Sequence, residues 1–185
     1  MIAAFDNALL YLVQVVFHLA MGLFMTRILL QAVRADFYNP ISQMVWRATQ
    51  AIANPLQRVL PRLKGRFDVA CLLVLVVITA IYVQIISNMF HYDFDVGTIA
   101  WYTLLKLVML VLQMYFFFLF VQAILSWVGP GVSNPAANIL WSLDEPILRP
   151  IRRVVPVFSG LDFSPLVAMV LIRLIMMFIP LPGMY

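Results

Sequence analysis

The sequence predicts an all-α integral membrane protein whose four transmembrane helices form two parallel helix–amphipathic loop–helix repeats. Composition is the first observation behind this prediction: 64% of the 185 residues are apolar, 11% are charged, and the mean hydropathy is +0.99. A soluble domain is nearer half apolar and about a quarter charged. The second observation is that the apolar residues fall into four long blocks, and the third is an internal repeat.

The four apolar blocks run over residues 9–33, 69–89, 107–128 and 163–181. Each is near the roughly 20 residues that a helix needs to cross about 30 Å of hydrocarbon. The segment before the first block contains Asp6 and no Lys or Arg, and the block is long, so it is interpreted as an uncleaved span rather than a signal peptide. The single Cys71 lies in the second block and allows no internal disulfide.

The basic residues predict the orientation of the spans. Nine of the twelve Lys and Arg residues lie in the two segments that come after the first and third blocks, 34–68 and 129–162. They are Arg34, Arg47, Arg58, Arg62, Lys64 and Arg66 in the first segment and Arg149, Arg152 and Arg153 in the second. The connector between the second and third blocks, around His91, Asp93 and Asp95, has none. By the positive-inside rule both basic loops are cytoplasmic and both termini are extracytoplasmic.

An internal repeat appears when the chain is shifted by 95 residues against itself. The shift aligns Asn39-Pro40 with Asn134-Pro135, Trp46 with Trp141, Pro55 with Pro150, Arg58 with Arg153, Pro61 with Pro156, Gly65 with Gly160 and, after a one-residue slip, Asp68 with Asp162. The chain therefore divides into two units, 1–95 and 96–185, each with two spans and one loop. Because each unit has two spans, both should have the same orientation about a pseudo-twofold axis along the membrane normal.

Each loop is predicted to contain a short amphipathic helix. Asn before Pro favours a helix start, with Asn as N-cap and Pro at the first helical position. In the first loop the apolar residues recur at helical spacing, and in the second they do so over a shorter stretch. These residues are Ile41, Met44, Val45, Ala48 and Ile52, and then Ile139, Leu140 and Leu143. The later prolines, at positions 55, 61, 146, 150 and 156, are expected to break the rest of each loop into short, stiff pieces.

The second loop resembles the YggT family of small integral membrane proteins. The resemblance rests on four runs: Ala123-Ile-Leu-Ser126-Trp127, then Ser133-Asn134-Pro135, then Asp144-Glu145-Pro146-Ile-Leu-Arg149-Pro150-Ile-Arg152-Arg153-Val-Val-Pro156, then Gly160-Leu-Asp162-Phe163-Ser164-Pro165. It extends over essentially the whole chain, in the two-repeat form typical of proteobacteria. The first unit departs from the pattern, with Gln50-Ala51 in place of Glu145-Pro146 and Val69-Ala70-Cys71 in place of Phe163-Ser164-Pro165.

The resemblance implies a multi-pass protein of the bacterial inner membrane. It also implies a link to osmotic-stress tolerance and, in photosynthetic relatives, to cytochrome b6 haem attachment and to division or nucleoid organisation. That spread favours an accessory or assembly role over one shared reaction.

The candidate binding residues are the basic cluster Arg149, Arg152 and Arg153 with Glu145 and Asp162. They form a hypothetical site for a partner or for anionic lipid, and simple topological anchoring is the alternative interpretation of the cations. Asp162 fits N-capping and pairing with Arg153 as well as it fits chemistry. Since one Cys and two His stand far apart in the chain, no nucleophilic set is assembled and no enzyme is expected.

The remaining polar residues predict no cofactor. His91, Asp93 and Asp95 on the outer connector are too few for a metal site. His18, inside the first span, is expected to bond a neighbouring helix rather than to bind haem. Lys106 and Arg27 are near span ends and are expected to snorkel. Arg173 lies deep in the fourth span, where a charge is expensive, and is flagged for a role in an ion or substrate path.

The preferred function is a non-enzymatic scaffold or assembly factor that acts through the basic loops. Its partners would be anionic lipid and another membrane protein or a second copy of itself, and nucleic acid is not expected. Two alternatives stay open. One is a subunit of an oligomeric channel or transporter, with Arg173 lining the path; the other is a haem or cytochrome maturation accessory.

Overall fold

The computed structural model describes residues 2–58, 68–128, 134–155 and 162–182, and the regular structure in these ranges is helical. The six helices are α1 (Ile2–Ala32), α2 (Pro40–Gln57), α3 (Val69–Met89), α4 (Val96–Val128), α5 (Pro135–Arg152) and α6 (Ser164–Met177). Several residues of the predicted loops lie outside the described ranges, among them Pro61, Arg62, Lys64, Gly65, Arg66, Pro156 and Gly160.

Three helices in the described ranges are long and apolar enough to cross a membrane, over Asn7–Ala32, Val69–Met89 and Val96–Ser126. The third begins well before the predicted residue 107, because the segment around Trp101 is already helical. Helix α6 has 14 residues, which is about 21 Å at 1.5 Å per residue. It ends earlier than the predicted residue 181 because Pro180 and Pro182 come next and cannot continue a helix.

The apolar helices pack side by side, α1 against α3, α3 against α4 and α4 against α6. Helix α2 lies across α1 and α3, and α5 lies across α4 and α6. The core between the spans consists of large side chains that are almost fully buried, among them Met21, Phe24, Leu75, Tyr82, Ile86, Met109 and Leu119. Each short helix thus packs against one pair of apolar helices.

Both short helices begin where the sequence predicts. The Asn39 side chain accepts a hydrogen bond from the backbone of Ile41 at 2.9 Å, and Asn134 accepts one from Ala137 at 2.7 Å. Each caps a helix whose first residue is proline, as expected for an Asn-Pro start. The Asn39 amide also donates to the carbonyl oxygen of Pro135 at 2.7 Å. One side chain therefore caps α2 and ties it to the start of α5.

The prolines inside these helices do not break them, and the prediction of short pieces was wrong for the described part. Helix α2 continues through Pro55, and α5 continues through Pro146 and Pro150. A proline in a helix removes the hydrogen bond to the carbonyl four residues earlier. All three prolines lie on exposed positions, and the freed carbonyls belong to Ala51, Ser142 and Pro146, which are exposed too. Those carbonyls can bind water, which lowers the cost.

The two short helices bury different kinds of face. Helix α5 packs Ile139, Leu140 and Leu143 inward, as its pattern predicts. Helix α2 instead buries Ser42, Val45, Thr49 and Ala53. Its predicted apolar face is mostly turned outward, with Met44 and Ile52 exposed by 64% and 51%. An apolar stripe that is exposed beside membrane spans is suited to contact with lipid.

Candidate functional site

The strongest polar cluster in the first unit surrounds Arg27, near the end of α1. Its side chain is 2% exposed, and its terminal nitrogens donate to Thr49 Oγ1 at 2.7 Å and to Gln50 Oε1 at 3.0 Å. They also reach Asp68 Oδ2 at 2.8 Å. The guanidinium carbon lies 3.8 Å from the centre of the Trp46 ring, close enough for a cation–π contact. Arg27 is therefore a buried structural cation, and the expectation that it snorkels was wrong.

Asp68 receives these contacts at the start of α3. Besides Arg27, its carboxylate accepts from Gln57 Nε2 and, at 3.4 Å, from the backbone nitrogen of Cys71, which makes it the N-cap of α3. Its own backbone N–H donates to Gln31 Oε1 at 3.3 Å. This carboxylate joins α1, the end of α2 and the start of α3.

The second unit has its own cluster, centred on Arg152 near the end of α5. Arg152 donates to Glu145 Oε2 at 2.7 Å and to Asp162 Oδ2 at 2.9 Å. Glu145 also accepts from the Trp141 indole at 3.0 Å. Asp162 Oδ1 accepts from the backbone of Ser164 at 2.9 Å, in the first turn of α6. The basic partner of Asp162 is thus Arg152. The sequence had instead suggested Arg153 as this partner.

The two clusters place their cation on different helices. At a shift of 95 residues, Arg27 aligns with Gln122 and Gln57 aligns with Arg152. In the first unit the cation comes from the spanning helix and a neutral amide, that of Gln57, from the short helix, whereas in the second unit the cation comes from the short helix. In both, the cation binds the aspartate that precedes the next apolar helix. The position of that ion pair is thus common to the two units, although its cation comes from different helices.

The predicted partner-binding cluster divides into two parts. Arg152, Glu145 and Asp162 bind one another. Arg149 and Arg153 are exposed and make no ion pair among the described residues. Free cationic surface on α5 therefore comes from these two side chains, while Arg152 is engaged inside the protein.

Asp144, one residue before Glu145, has an unusual environment. Its side chain is 0% exposed, and neither carboxylate oxygen has a hydrogen-bond partner among the described residues. Burial raises the pKa of Asp144 to about 7, although the positive charge of Arg152 acts in the opposite direction. Its counterpart at the shift of 95 residues is Thr49, the neutral acceptor of the Arg27 hydrogen bond.

A further polar contact joins α1 and α4 inside the apolar bundle. Lys106 Nζ lies 2.9 Å from His18 Nε2, and His18 Nδ1 lies 2.6 Å from the carbonyl oxygen of Gln14. Lys106 is 0% exposed and does not snorkel, contrary to expectation. The prediction that His18 bonds a neighbouring helix is confirmed. Both ring nitrogens are occupied by these contacts.

Arg173 lies on the exposed side of α6, at the edge of an open cavity between α4 and α6. The cavity has a volume of about 620 Å³ and is lined by Met109, Gln113, Phe116, Arg173, Met176 and Met177. The structure thus brings Arg173 and Gln113 to the same cavity. The rest of the lining is apolar and rich in methionine, a flexible side chain that adapts to its surroundings.

The outer connector serves as a turn and a helix cap. His91 has a positive φ of 56°. Asp95 accepts hydrogen bonds from Thr98, through its hydroxyl and its backbone, and from the backbone of Gly97. These bonds hold the pKa of Asp95 below its usual range. Among the described residues no three His, Cys, Asp or Glu side chains are grouped so that they could hold a metal ion.

The sequence did not predict several features of these clusters. They are the central position of Arg27, the hydrogen bonds of Thr49 and Gln57, the burial of Asp144, and the contact between His18 and Lys106. The internal alignment contained part of the signal, since it places Gln57 on Arg152 and Gln50 on Glu145. The alignment of Gln57 with the loop cation Arg152 thus marks Gln57 as a member of the network around Asp68.

Comparison with known proteins agrees with the resemblance seen in the motifs. The family model described as CCB3/YggT matches the chain twice, over residues 6–89 and 101–182. A relative from Pseudomonas aeruginosa is 36% identical over 177 residues, covering 94% of this chain and 89% of its own. The protein named YggT from Escherichia coli K12 is 37% identical over 171 residues, covering 92% and 88%.

A third relative, from Vibrio alginolyticus, is 38% identical over 164 residues and covers 87% of both chains. No solved structure matches the chain. The double match of the family model and the coverage of these relatives lead to one conclusion: the chain is a member of the CCB3/YggT family.

Proposed function

We propose that this protein is a non-enzymatic scaffold or assembly factor of the bacterial inner membrane that supports osmotic-stress tolerance. It acts through the outward surface of α5. The observation that carries the proposal is the division of the basic cluster. Arg152 is held by Glu145 and Asp162, whereas Arg149 on the same helix and Arg153 just after its end stay exposed. Internal pairing fixes the helix, and the two free cations remain available to a partner.

The anionic surface of the cytoplasmic leaflet is the nearest partner for these cations. Each Lys or Arg near such a surface contributes about 1 kcal/mol of attraction. Helix α2 adds the exposed apolar side chains of Met44 and Ile52 beside the exposed Arg47. The contact between Asn39 and Pro135 joins the starts of the two helices. In this proposal they form one platform at the inner headgroup layer, and a second membrane protein docks there.

The proposal includes four crossings, both termini outside the cytoplasm, and two units in parallel orientation. Helix α6 is short for a span, but the chain continues beyond it, and Ile179 and Leu181 are packed against the protein. At about 3.3 Å per extended residue, a few such residues add the roughly 10 Å that the helix lacks. The double match of the family model supports the parallel repeat.

Complementation of a deletion strain under osmotic challenge tests the scaffold. The variant is Arg149→Glu with Arg153→Glu, which reverses the free charge and leaves Arg152 in place. The matched control is Arg34→Glu with Arg58→Glu, two exposed cations of the first loop outside this platform, since Arg58 aligns with Arg153. We expect the second-loop variant to fail and the first-loop variant to grow, at equal abundance in the membrane. Normal growth of the second-loop variant would refute the proposal.

One observation favours a second candidate, a subunit of an oligomeric channel. The cavity of about 620 Å³ between α4 and α6 presents Arg173 and Gln113 among apolar side chains. Charged residues at membrane depth commonly line ion or substrate paths. This candidate predicts ion flux in liposomes that contain only the wild-type protein, with altered selectivity in Arg173→Gln. Liposomes that stay tight over a range of protein densities would rule it out.

A further inference from the structure

The inference concerns Asp144, a buried acid that the scaffold proposal does not use. Among the described residues it is the one carboxylate whose two oxygens are both buried without a donor. An unpaired buried charge is strongly unfavourable, and a group in such a place takes up a proton instead. The question is therefore which donor or cation satisfies this carboxylate when α5 is packed on α4.

The two units differ at this point in a way that identifies the missing component. In the first unit, Arg27 donates to Thr49 at 2.7 Å, so a buried acceptor on the short helix receives a hydrogen from the spanning helix. At the aligned positions of the second unit stand Gln122 and Asp144. The Oε1 atom of Gln122 is also buried without a donor. The atoms at these two positions that lack a hydrogen bond, both carboxylate oxygens of Asp144 and Oε1 of Gln122, are thus all acceptors.

The charged surroundings of Asp144 do not supply a donor either. Arg152 is the cation that acts on it, but its Nε and one terminal nitrogen already donate to Asp162 and Glu145. Tyr115 of α4 interacts with it electrostatically and gives it no hydrogen bond. Helices α1, α2 and α6 also pack against α5, and among their described residues no charged side chain acts on Asp144. The second cluster thus has three carboxylates, of Asp144, Glu145 and Asp162, for one paired guanidinium.

We propose that Asp144 is a proton-binding site that couples the packing of α5 against α4 to the pH of the adjoining aqueous phase. In the packed state the carboxyl holds its proton and provides the O–H donor that this interface lacks. When the O–H bond breaks, the proton leaves to water and a negative charge remains in a buried place. Helix α5 then opens toward water so that the carboxylate is hydrated. The burial that raises the pKa of Asp144 to about 7 puts this step in the physiological range.

Hydrogen–deuterium exchange of the full-length protein in nanodiscs tests the site. The readout is the protection of the α5 amides from Leu140 to Leu148, corrected for the intrinsic rate of exchange. Since the packed state binds the proton and the open state does not, the opening equilibrium should rise with pH. We expect up to about tenfold per pH unit from about pH 5, and a plateau above about pH 7. Asp144→Asn keeps the shape and cannot ionise, so its protection should not change with pH.

Two further variants distinguish loss of the proton-binding site from misfolding of the variant protein. Asp144→Thr places the residue of the first unit at this position and should also remove the pH dependence. Asp162→Asn, the matched control, should keep it, because the Asp162 carboxylate is paired with Arg152. In addition, the infrared carbonyl band of a protonated carboxyl should appear in the wild type at about pH 5 and be missing in Asp144→Asn.

Any of four outcomes would overturn the proposal: protection in the wild type that does not vary with pH, a pH dependence that survives in Asp144→Asn, an absent carboxyl band, or a transition that requires sodium. The last is checked by replacing sodium with potassium or N-methylglucamine, and it would identify a metal cation in place of the proton. None of these measurements uses a growth phenotype. A failure of the scaffold proposal is therefore distinguishable from a failure of this one.

Discussion

The Arg27 guanidinium lies 2.8 Å from the Asp68 carboxylate and joins residues that are 41 positions apart in the chain. The side chains of the pair are 2% and 12% exposed. Breaking such a buried pair from one side leaves an uncompensated charge, which costs about 3–5 kcal/mol. Loss of Arg27 affects three helices at once, because Asp68 also caps α3 and accepts from the end of α2.

Arg27→Gln is therefore expected to lower the free energy of unfolding by about 3–5 kcal/mol. Thermal unfolding in detergent or in nanodiscs measures the change. Arg34→Gln, at an exposed position just after α1, is the matched control and should change stability by less than about 0.5 kcal/mol. Equal unfolding temperatures for the two variants would show that the buried pair is not important for stability.

Adding Gln57→Arg to Arg27→Gln should restore part of the lost stability. This double change places the cation on the short helix, as in the second unit, and gives position 27 the residue type of the aligned Gln122. Gln57 already donates to Asp68, so a guanidinium at that position can reach the same carboxylate. If the double variant is less stable than Arg27→Gln alone, the two clusters are not interchangeable.

Asp162 should stabilise the α5–α6 junction in a pH window opposite to that of Asp144. Burial raises the pKa of Asp162. The hydrogen bond from Ser164 and the Arg152 guanidinium together lower this pKa by more than burial raises it, so the pKa of Asp162 lies below its usual value. Its stabilising effect is then complete above the unfolded pKa of about 3.9 and disappears as the pH falls through the folded pKa. The difference in thermal stability between wild type and Asp162→Asn should hold at about pH 6 and shrink below about pH 4. A difference that grows in acid would contradict this assignment.

Arg173→Leu should leave the scaffold function intact. The side chain is exposed at the edge of the cavity and makes no ion pair among the described residues. A charge at membrane depth costs at least about 2.5 kcal/mol on insertion scales, so its removal should maintain or raise abundance. Complementation under osmotic challenge, with abundance checked by immunoblot, measures both effects. Abundant but inactive Arg173→Leu would favour the channel.

Reporter fusions measure the proposed topology. A fusion after Tyr185 should show an extracytoplasmic signal and one inserted at Lys64 a cytoplasmic signal, because the cations are concentrated in the loops. A cytoplasmic signal at Tyr185 would mean that α6 does not cross the membrane. The same chain would then have the three spans that the lengths of its helices support.

Features of this protein that depend on local sequence could be predicted, and those that depend on packing could not. Asn39 and Asn134 cap their helices because a cap involves residues only two or three positions away. Pairing of Arg27 with Asp68 depends on how α3 packs against α1, which no local pattern contains. The sequence predicted the wrong inward face of α2 for the same reason. Thr49 is buried because Arg27 needs an acceptor, so a polar residue replaces an apolar one in the contact.

In the proposed platform the outward apolar stripe of α2 contacts lipid, which makes the bilayer part of the native fold. In water, Met44 and Ile52 would be exposed while Ser42 and Thr49 stayed covered, so hydrophobic burial would favour the position of the helix less. Helix α2 would then be held by the Arg27 cluster, its cap and the buried side chains of Val45 and Ala53. Solubilisation should therefore loosen α2 before the spans separate, and the choice of detergent should determine whether purified protein keeps this surface. Lipid nanodiscs are accordingly the native-like environment in which binding to the loops should be measured.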